Sequence, residues 1–456
     1  MTPAARSLAA LLVALTGLLS IPVKAFAQDS APIKFPGTQY EPIDWTDLDG
    51  WESDDHAAAF AAFLTSCQTL DIKRRVELTG IPAALRDICQ RARAAIPLDD
   101  DGARKFFEDN FRLIRINRIG DTDGFLTGYY EPIIDGSRVP TGQFTAPLYR
   151  RPPNLVVSGW RRLGKDVFPS KGVTVGRRFG RRKIVPYYTR AEIEDGALDG
   201  WHLEICYLHD QVDVLFAQIQ GSARIRLEDG TILRVNYDSH NGWPYTPVGR
   251  VMVANKIMTS DQVSMQSIRD WMEANPDLAK DVRRQNKSYV FFRITDLSTE
   301  DEAVGGEGVE LMPGRSIAID RALHAYGTPF FIQASLPIAD NKAATKFDRL
   351  MIAQDTGSAI VGPARADIYF GAGPEAARMA GRIKSPGDFV MLIPDALDPV
   401  AAGSDMPMPR ERPSAFSFNI GSTTMDDPTA VDPPADAVQP VTAPAPKGKT
   451  KPQKKK

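Results

Sequence analysis

Cysteine and histidine are scarce in this chain, three and five residues among 456. The histidines (His56, His202, His209, His240 and His324) show no metal-ligand spacing and accompany no cysteine cluster. That pattern argues against zinc chemistry and implies no resident metal. The phosphate-binding signatures are missing too: no G-x-G-x-x-G follows a strand pattern and no G-x-x-x-x-G-K-[ST] loop occurs. Without a G-x-S-x-G elbow, a serine-hydrolase reading has no support either. Neither sign of charge dominates, with 55 Lys and Arg against 57 Asp and Glu. A balance of −2 gives no electrostatic reason to expect a nucleic-acid partner. No cofactor is implied.

What is present begins with an export signal over residues 1–27. Arg6 supplies the positive start, Leu8 to Ile21 the apolar run, and Ala25-Phe26-Ala27 the small-x-small cleavage site. The run is too short and too abruptly ended for a membrane span. No cysteine lies near the cleavage site, the first being Cys67. The mature protein is therefore expected outside the cytoplasm, without an acylated N-terminus. At the other end, from about Asp395, the composition turns to Pro, Ala, Asp and Ser, which offers little to bury. Residues 396–456 read as a disordered tail. Its last ten residues hold six lysines and no acid, so the formal −2 divides into about −8 for the rest and +6 for the tip. Such a tip either solubilises the end or associates weakly with anionic membrane or wall.

The roughly 370 residues between suffice for two domains. Three helices open the segment. Ser53 or Asp54 is the expected cap of the first, whose Phe60, Phe63, Leu64 and Cys67 share one stripe. Pro82 starts the second, with Leu85, Ile88, Cys89 and Ala92, and the third carries Phe106, Phe107, Phe111 and Ile114. Cys67 and Cys89 fall on neighbouring apolar faces, so an export compartment leaves two states open, a disulfide or two buried thiols. From Phe125 to about Tyr245 short strands with turn punctuation follow, of which Val212 to Ser222 is the clearest. After a helical interval, Ser260 to Asp281, the last third returns to strands interrupted by a helix between Pro374 and Gly381. The expectation is a mainly β chain with N-terminal helices, of α+β class, built on a small closed barrel.

The most informative stretch is AQDTGSAIVGPARADIYFGAG, residues 353–373. It sets Asp355 and Asp367 twelve positions apart on two apolar strands joined by a Gly- and Pro-containing loop. Carboxylates brought close cannot both ionise freely, so one keeps a proton near neutral pH. A protonated carboxyl aimed at a glycosidic oxygen is what sugar-bond cleavage requires. Asp367, set beside Ala366 and Ile368, is the candidate acid; Asp355 would tune or orient it. Asp320, at the end of another strand, reads as structural or as part of the groove. Thr127 and Tyr129, with Gln220, Gly221 and Ser222, offer the mixture of amide, hydroxyl and ring that binds sugars. Asn241-Gly242-Trp243-Pro244-Tyr245 adds aromatic surface, or else core. Glu131 is the rival acid or nucleophile, expected as an exposed turn carboxylate because Pro132 follows it.

The blocks LTGYYEP (residues 126–132), IQGSARI (219–225), NGWPYTPVGR (241–250), NKSYVFFR (286–293), PGRSIAID (313–320) and AQDTGSAI…ADIYFGAGPEAARMAG (353–381) resemble the membrane-bound lytic murein transglycosylase A family. The closing part looks like that family's 3D domain, whose three aspartates fall on Asp320, Asp355 and Asp367. The resemblance implies a double-psi β-barrel over residues 28–134 and 293–395, with a smaller β-domain inserted at 135–292 and a groove between them. It implies periplasmic cleavage of the β-1,4 bond between N-acetylmuramic acid and N-acetylglucosamine in peptidoglycan, by a monomer with one Asp as both acid and base, matching Asp367. The product would carry a 1,6-anhydro ring. Two departures stand out: no lipobox cysteine follows the signal, and Ser358 and Val361 replace the expected glycine and lysine.

Overall fold

The computed structural model describes residues 37–72, 80–158, 174–180, 183–339 and 343–398. The expected export signal and almost all of the expected tail, with its lysine tip, lie outside the described residues.

Strand β1 (Thr38–Ile43) leads into three helices, α1 (His56–Ile72), α2 (Ile81–Ala95) and α3 (Asp100–Asn110). Asp55, not Ser53 or Asp54, receives the N–H of Ala58 at 2.9 Å where α1 begins. Asp54 is buried instead, paired with the guanidinium of Arg315 through two contacts of 2.8 Å. Helix α2 has Pro82 in its first turn, where a missing N–H costs nothing. Helix α3 ends one residue before Phe111, so Phe111 and Ile114 belong to β2 (Phe111–Arg118) and not to the helical stripe. Both are buried all the same, on opposite faces of the strand: Phe111 packs 5.9 Å from the Phe107 ring, and Ile114 joins the same apolar core. The Cys67–Cys89 disulfide joins α1 to α2, with a Cα separation of 5.3 Å, and resolves the two states left open by the sequence.

Strands β3 (Gly124–Glu131), β4 (Ile133–Ser137), β5 (Ala146–Tyr149), β6 (Leu155–Ser158), β7 (Thr174–Phe179) and β8 (Lys183–Val185) follow. Then come α4 (Arg190–Glu194), β9 (Glu204–Leu208), α5 (Gln211–Gln220), β10 (Ser222–Leu227) and β11 (Ile232–His240). Helices α6 (Val248–Ala254), α7 (Met265–Ala274) and α8 (Pro276–Arg284) precede β12 (Val290–Ile294). The last part holds β13 (Ser316–Ile319), β14 (Pro329–Leu336), β15 (Thr345–Thr356), β16 (Arg365–Ala372), α9 (Gly373–Ala380) and β17 (Lys384–Pro394).

Helix α5 corrects the strand expected over Val212 to Ser222. Asp210 accepts the N–H groups of Val212 and Asp213 at 2.7 and 3.1 Å, and Gly221 ends the helix in the left-handed region at φ 84°. Val212 and Val214 to Gln218 are all buried, so no polar face marks the helical period.

Six strands close a ring in the order β17, β14, β15, β13, β16, β3 and back to β17. Closure is possible because β17 is long. Its Lys384–Gly387 end pairs with β3, while Gly387 to Met391 pair with β14 on one side and Val390 to Pro394 with β2 on the other. Two neighbouring pairs, β3–β16 and β13–β15, run parallel and the rest antiparallel. One apolar core unites the inner strand faces with the three helices through Phe63, Phe107, Ile317, Leu350, Ile368 and Leu392. The sequence between β3 and β13 supplies a second six-stranded sheet, ordered β12, β11, β10, β4, β9, β5, with its own core around Leu148, Ile225 and Phe291. Helices α5 to α8 pack about Phe216, Met252 and Met272. Among the described residues no helix is long and apolar enough to cross a membrane.

Candidate functional site

Strand β13 lies between the two aspartates rather than leaving their strands adjacent. Ala318 is the register partner of Asp355 on β15 and of Asp367 on β16. Directly opposed residues leave a sheet on the same face, so both carboxyl groups rise on either side of one methyl group. Their Cα atoms stand two strand spacings apart, roughly 9 Å. This corrects the expectation of a directly joined strand pair and retains its consequence, two acids within each other's field.

Asp367 is met from β3 and from its own strand. Thr127, its register partner, donates its hydroxyl to Oδ1 at 2.6 Å. Arg365, two residues before Asp367 and hence on the same face, donates to the Thr127 hydroxyl at 2.7 Å. Burial pushes the Asp367 carboxyl above its ordinary range, against the opposing pull of the Arg365 charge and the Thr127 bond. Among the described residues only Oδ1 is engaged.

Asp355 is held differently, with both oxygens occupied. Tyr129 donates its phenol to Oδ2 at 2.8 Å, and the N–H groups of Gly306 and Thr356 donate to Oδ1, each at 2.8 Å. Burial is the main cause that lifts its pKa to about 6; the three donors act the other way, and the Asp367 charge adds to the rise. The Tyr129 phenol is pushed well above its ordinary range by burial and then by the Asp355 charge, which keeps it a donor. Its ring lies 5.2 Å from that of Tyr369.

A cleft of about 120 Å³ opens beside Asp355. Tyr129, Gly306 and Ser358 form its barrel side, with Gln220, Gly221 and Ser222 opposite. Gln220 ends α5, Gly221 caps it and Ser222 opens β10, so the three lie at a helix-to-strand junction and not at the close of a strand; Gln220 accepts the N–H of Tyr130 at 3.0 Å. Tyr245 lies near enough to feel the Asp367 charge, its phenol raised to about 12 chiefly by burial. Trp243 is tied down by its indole N–H on the Tyr187 carbonyl at 2.8 Å. Val361 is 72 % exposed on the loop between β15 and β16.

Asp367 and Thr127 are not among the residues that line this cleft, and two further candidates stand apart from it. Asp320 accepts N–H groups from Ala322 and Gly362, both at 2.9 Å, and so fastens the loop that leads into β16. Glu131 is not an exposed turn carboxylate. It is 1 % exposed and bonded to Arg224 at 2.7 Å and to Arg234 at 2.9 and 3.1 Å. Two guanidinium groups engage both of its oxygens and enclose it, which leaves neither oxygen open to the cleft. Its partners lie 93 and 103 residues away, beyond any local signal. Arg365 and Gly306 were missed by sequence reasoning; strand alternation would have placed Arg365 beside Asp367, whereas nothing local marks Gly306. Among the described residues no group of three His, Cys, Asp or Glu side chains is placed to hold a metal.

Comparison with known proteins gives these features a class. Residues 125–293 match the family model described as the MltA specific insert domain, and residues 315–393 match the 3D domain. The membrane-bound lytic murein transglycosylase A of Vibrio cholerae is 30 % identical over 273 residues, 59 % of this chain and 65 % of that protein. A crystal structure of a membrane-bound lytic murein transglycosylase from Agrobacterium tumefaciens aligns at 33 % identity and a TM-score of 0.68, covering 80 % of this chain and 99 % of that one. The E. coli MltA structure with bound chitohexaose aligns at 25 % identity and 0.54, covering 81 % and 97 %. The chain belongs to the membrane-bound lytic murein transglycosylase A family.

Proposed function

We propose that this protein is a lytic transglycosylase of peptidoglycan, in which Asp367 is the only acid and base. One observation carries the reading: of two acids raised by burial, Asp367 alone has an oxygen without a donor among the described residues, while Asp355 accepts from three. The raised carboxyl gives its proton to the glycosidic oxygen between N-acetylmuramic acid and N-acetylglucosamine. As carboxylate it then takes the proton of the muramic C6 hydroxyl, which attacks C1 of its own ring. The C1–O bond to the leaving sugar breaks, a 1,6-anhydro bond forms, and the enzyme ends as it began. Thr127 orients Asp367, and Asp355 tunes it through charge. Tyr129, Gln220, Gly221 and Ser222 line the glycan path, a role that the chitohexaose bound to the E. coli relative supports.

In this reading the ring of six strands is a double-psi barrel over residues 28–134 and 293–395. Residues 135–292 are the inserted domain, and the match of the insert model to 125–293 supports that division. The protein acts in the periplasm after removal of residues 1–27, as a monomer. Its location at the wall or membrane is supported by the names of its relatives and by the lysine tip. Digestion of purified murein, followed by mass analysis, tests the reaction. Anhydromuropeptides are expected; reducing ends would instead indicate hydrolysis, and no release would indicate a binding protein.

A further inference from the structure

The two segments that meet at Asp355 are fastened to the same helix. Gln354, fully buried, donates its amide to the Ala62 carbonyl at 2.9 Å and to the Ser66 hydroxyl at 3.0 Å, both on α1. Ser66 donates in turn to Glu307 Oε2 at 2.7 Å, and Thr69, one turn on, to Oε1 at 3.0 Å. The N–H of Glu307 closes the circuit on the Gln354 carbonyl at 3.0 Å. Next to it in the chain, Gly306 places its N–H on Asp355 Oδ1 at 2.8 Å. Gly306 has no side chain with which to fix itself, and a Cβ there would stand 2.6 Å from the Tyr326 hydroxyl. Its aim therefore depends on a neighbour. Glu307 is 6 % exposed, and burying a carboxylate is costly unless its oxygens are hydrogen-bonded, as these are. The Cys67–Cys89 bridge, one residue past Ser66, ties the supporting helix to α2.

We propose that Glu307 is a positioning residue for the acid pair: through Ser66 and Thr69 of the disulfide-bonded helix α1 it holds the Gly306 N–H on Asp355. This rests on the assignment of Asp355 and Asp367 made above. The groups that face Asp355 are Tyr129 from β3, Thr356 from its own strand, Asp367 from β16, Tyr326 from the turn before β14, and the Gly306–Glu307 loop. Of these, only the loop depends on Glu307. Removing its anchor withdraws a donor that favours the charged form of Asp355, so the pH-activity limb governed by Asp355 moves upward.

The test uses the full chain with Glu307→Ala and Glu307→Gln. For the alanine variant, kcat on murein should fall roughly tenfold with KM changed less than about twofold, and the limb should rise by about half a unit or more. Glutamine keeps an acceptor for one hydroxyl and should restore most of the loss. An alanine variant with unchanged kcat and pH profile would overturn the proposal, as would a glutamine variant no better than alanine. Should alanine fail to fold, the Gly306 amide signal in 15N-glycine-labelled unmodified protein decides. It should titrate with the Asp355 carboxyl, and a pH-independent signal would count against the contact. That titration needs no turnover, so absence of murein cleavage by the unmodified protein would remove the functional reading and leave this inference separately decided.

Discussion

Thr127 donates its hydroxyl to Asp367 at 2.6 Å while the same hydroxyl accepts from Arg365 at 2.7 Å. The acid is thus held by a neutral group that a cation polarises, an arrangement that fixes its direction without fully neutralising the effect of burial. Thr127→Val keeps the shape and removes the donor. Because that donor favours the ionised form, the Asp367 pKa should rise further, by about one unit for a hydrogen bond to a charged group. The matching limb of the kcat/KM profile should move up with it. An unmoved limb would show that the Thr127 contact does not govern the acid.

Asp355 makes stability depend on pH in a stated direction. Its pKa is about 6 in the folded protein, against about 3.9 for an unperturbed Asp. The folded state therefore holds the proton more tightly between these values, and stability declines as pH rises through that window. Asp355→Asn removes the charge that burial disfavours. Its melting temperature should exceed that of the parent above pH 6, with the gap closing toward pH 4. A variant less stable than the parent at pH 8 would contradict the burial argument.

Glu131 is enclosed by two guanidinium groups, and its loss should be felt in folding before chemistry. Glu131→Ala leaves Arg234, itself 2 % exposed, without its carboxylate. Breaking a buried pair from one side costs about 3–5 kcal/mol. Chemical denaturation should register a loss of that order. A change under about 1 kcal/mol, the size usual for surface pairs, would show that water reaches the cluster.

The bridge between α1 and α2 should contribute about 2–4 kcal/mol, as disulfides commonly do. A Cys67→Ser, Cys89→Ser double variant, unfolded by urea, should show this deficit. It should also lose activity out of proportion to the unfolded fraction, since α1 carries Ser66 and Thr69. Equal stability with and without the bridge would refute the first point.

How much of this was legible in the sequence depends on how local each determinant is. Asp355 and Asp367 stood out because each interrupts an apolar strand that the alternation of Ile352, Ile368 and their neighbours makes evident. The closing helix was equally plain from Pro374 and Gly381. Helix α5 was misread because its side chains are buried almost all round, which erases the helical period; its signals were the caps, Asp210 and Gly221. Ring closure between β3 and β17 and the meeting of Glu131 with Arg224 and Arg234 join residues far apart in sequence. No window of sequence contains them. The position of β13 between the two aspartates is of the same kind, which is why their proximity was inferred from the wrong pairing.

The most direct measurement is the release of soluble muropeptides from sacculi by Asp367→Asn, compared with the unmodified protein. An amide at this position keeps the size and the Thr127 contact but has no proton to give. Release should drop to background while the variant still sediments with sacculi. Near-normal release by that variant would contradict the account, because the proton would then come from elsewhere.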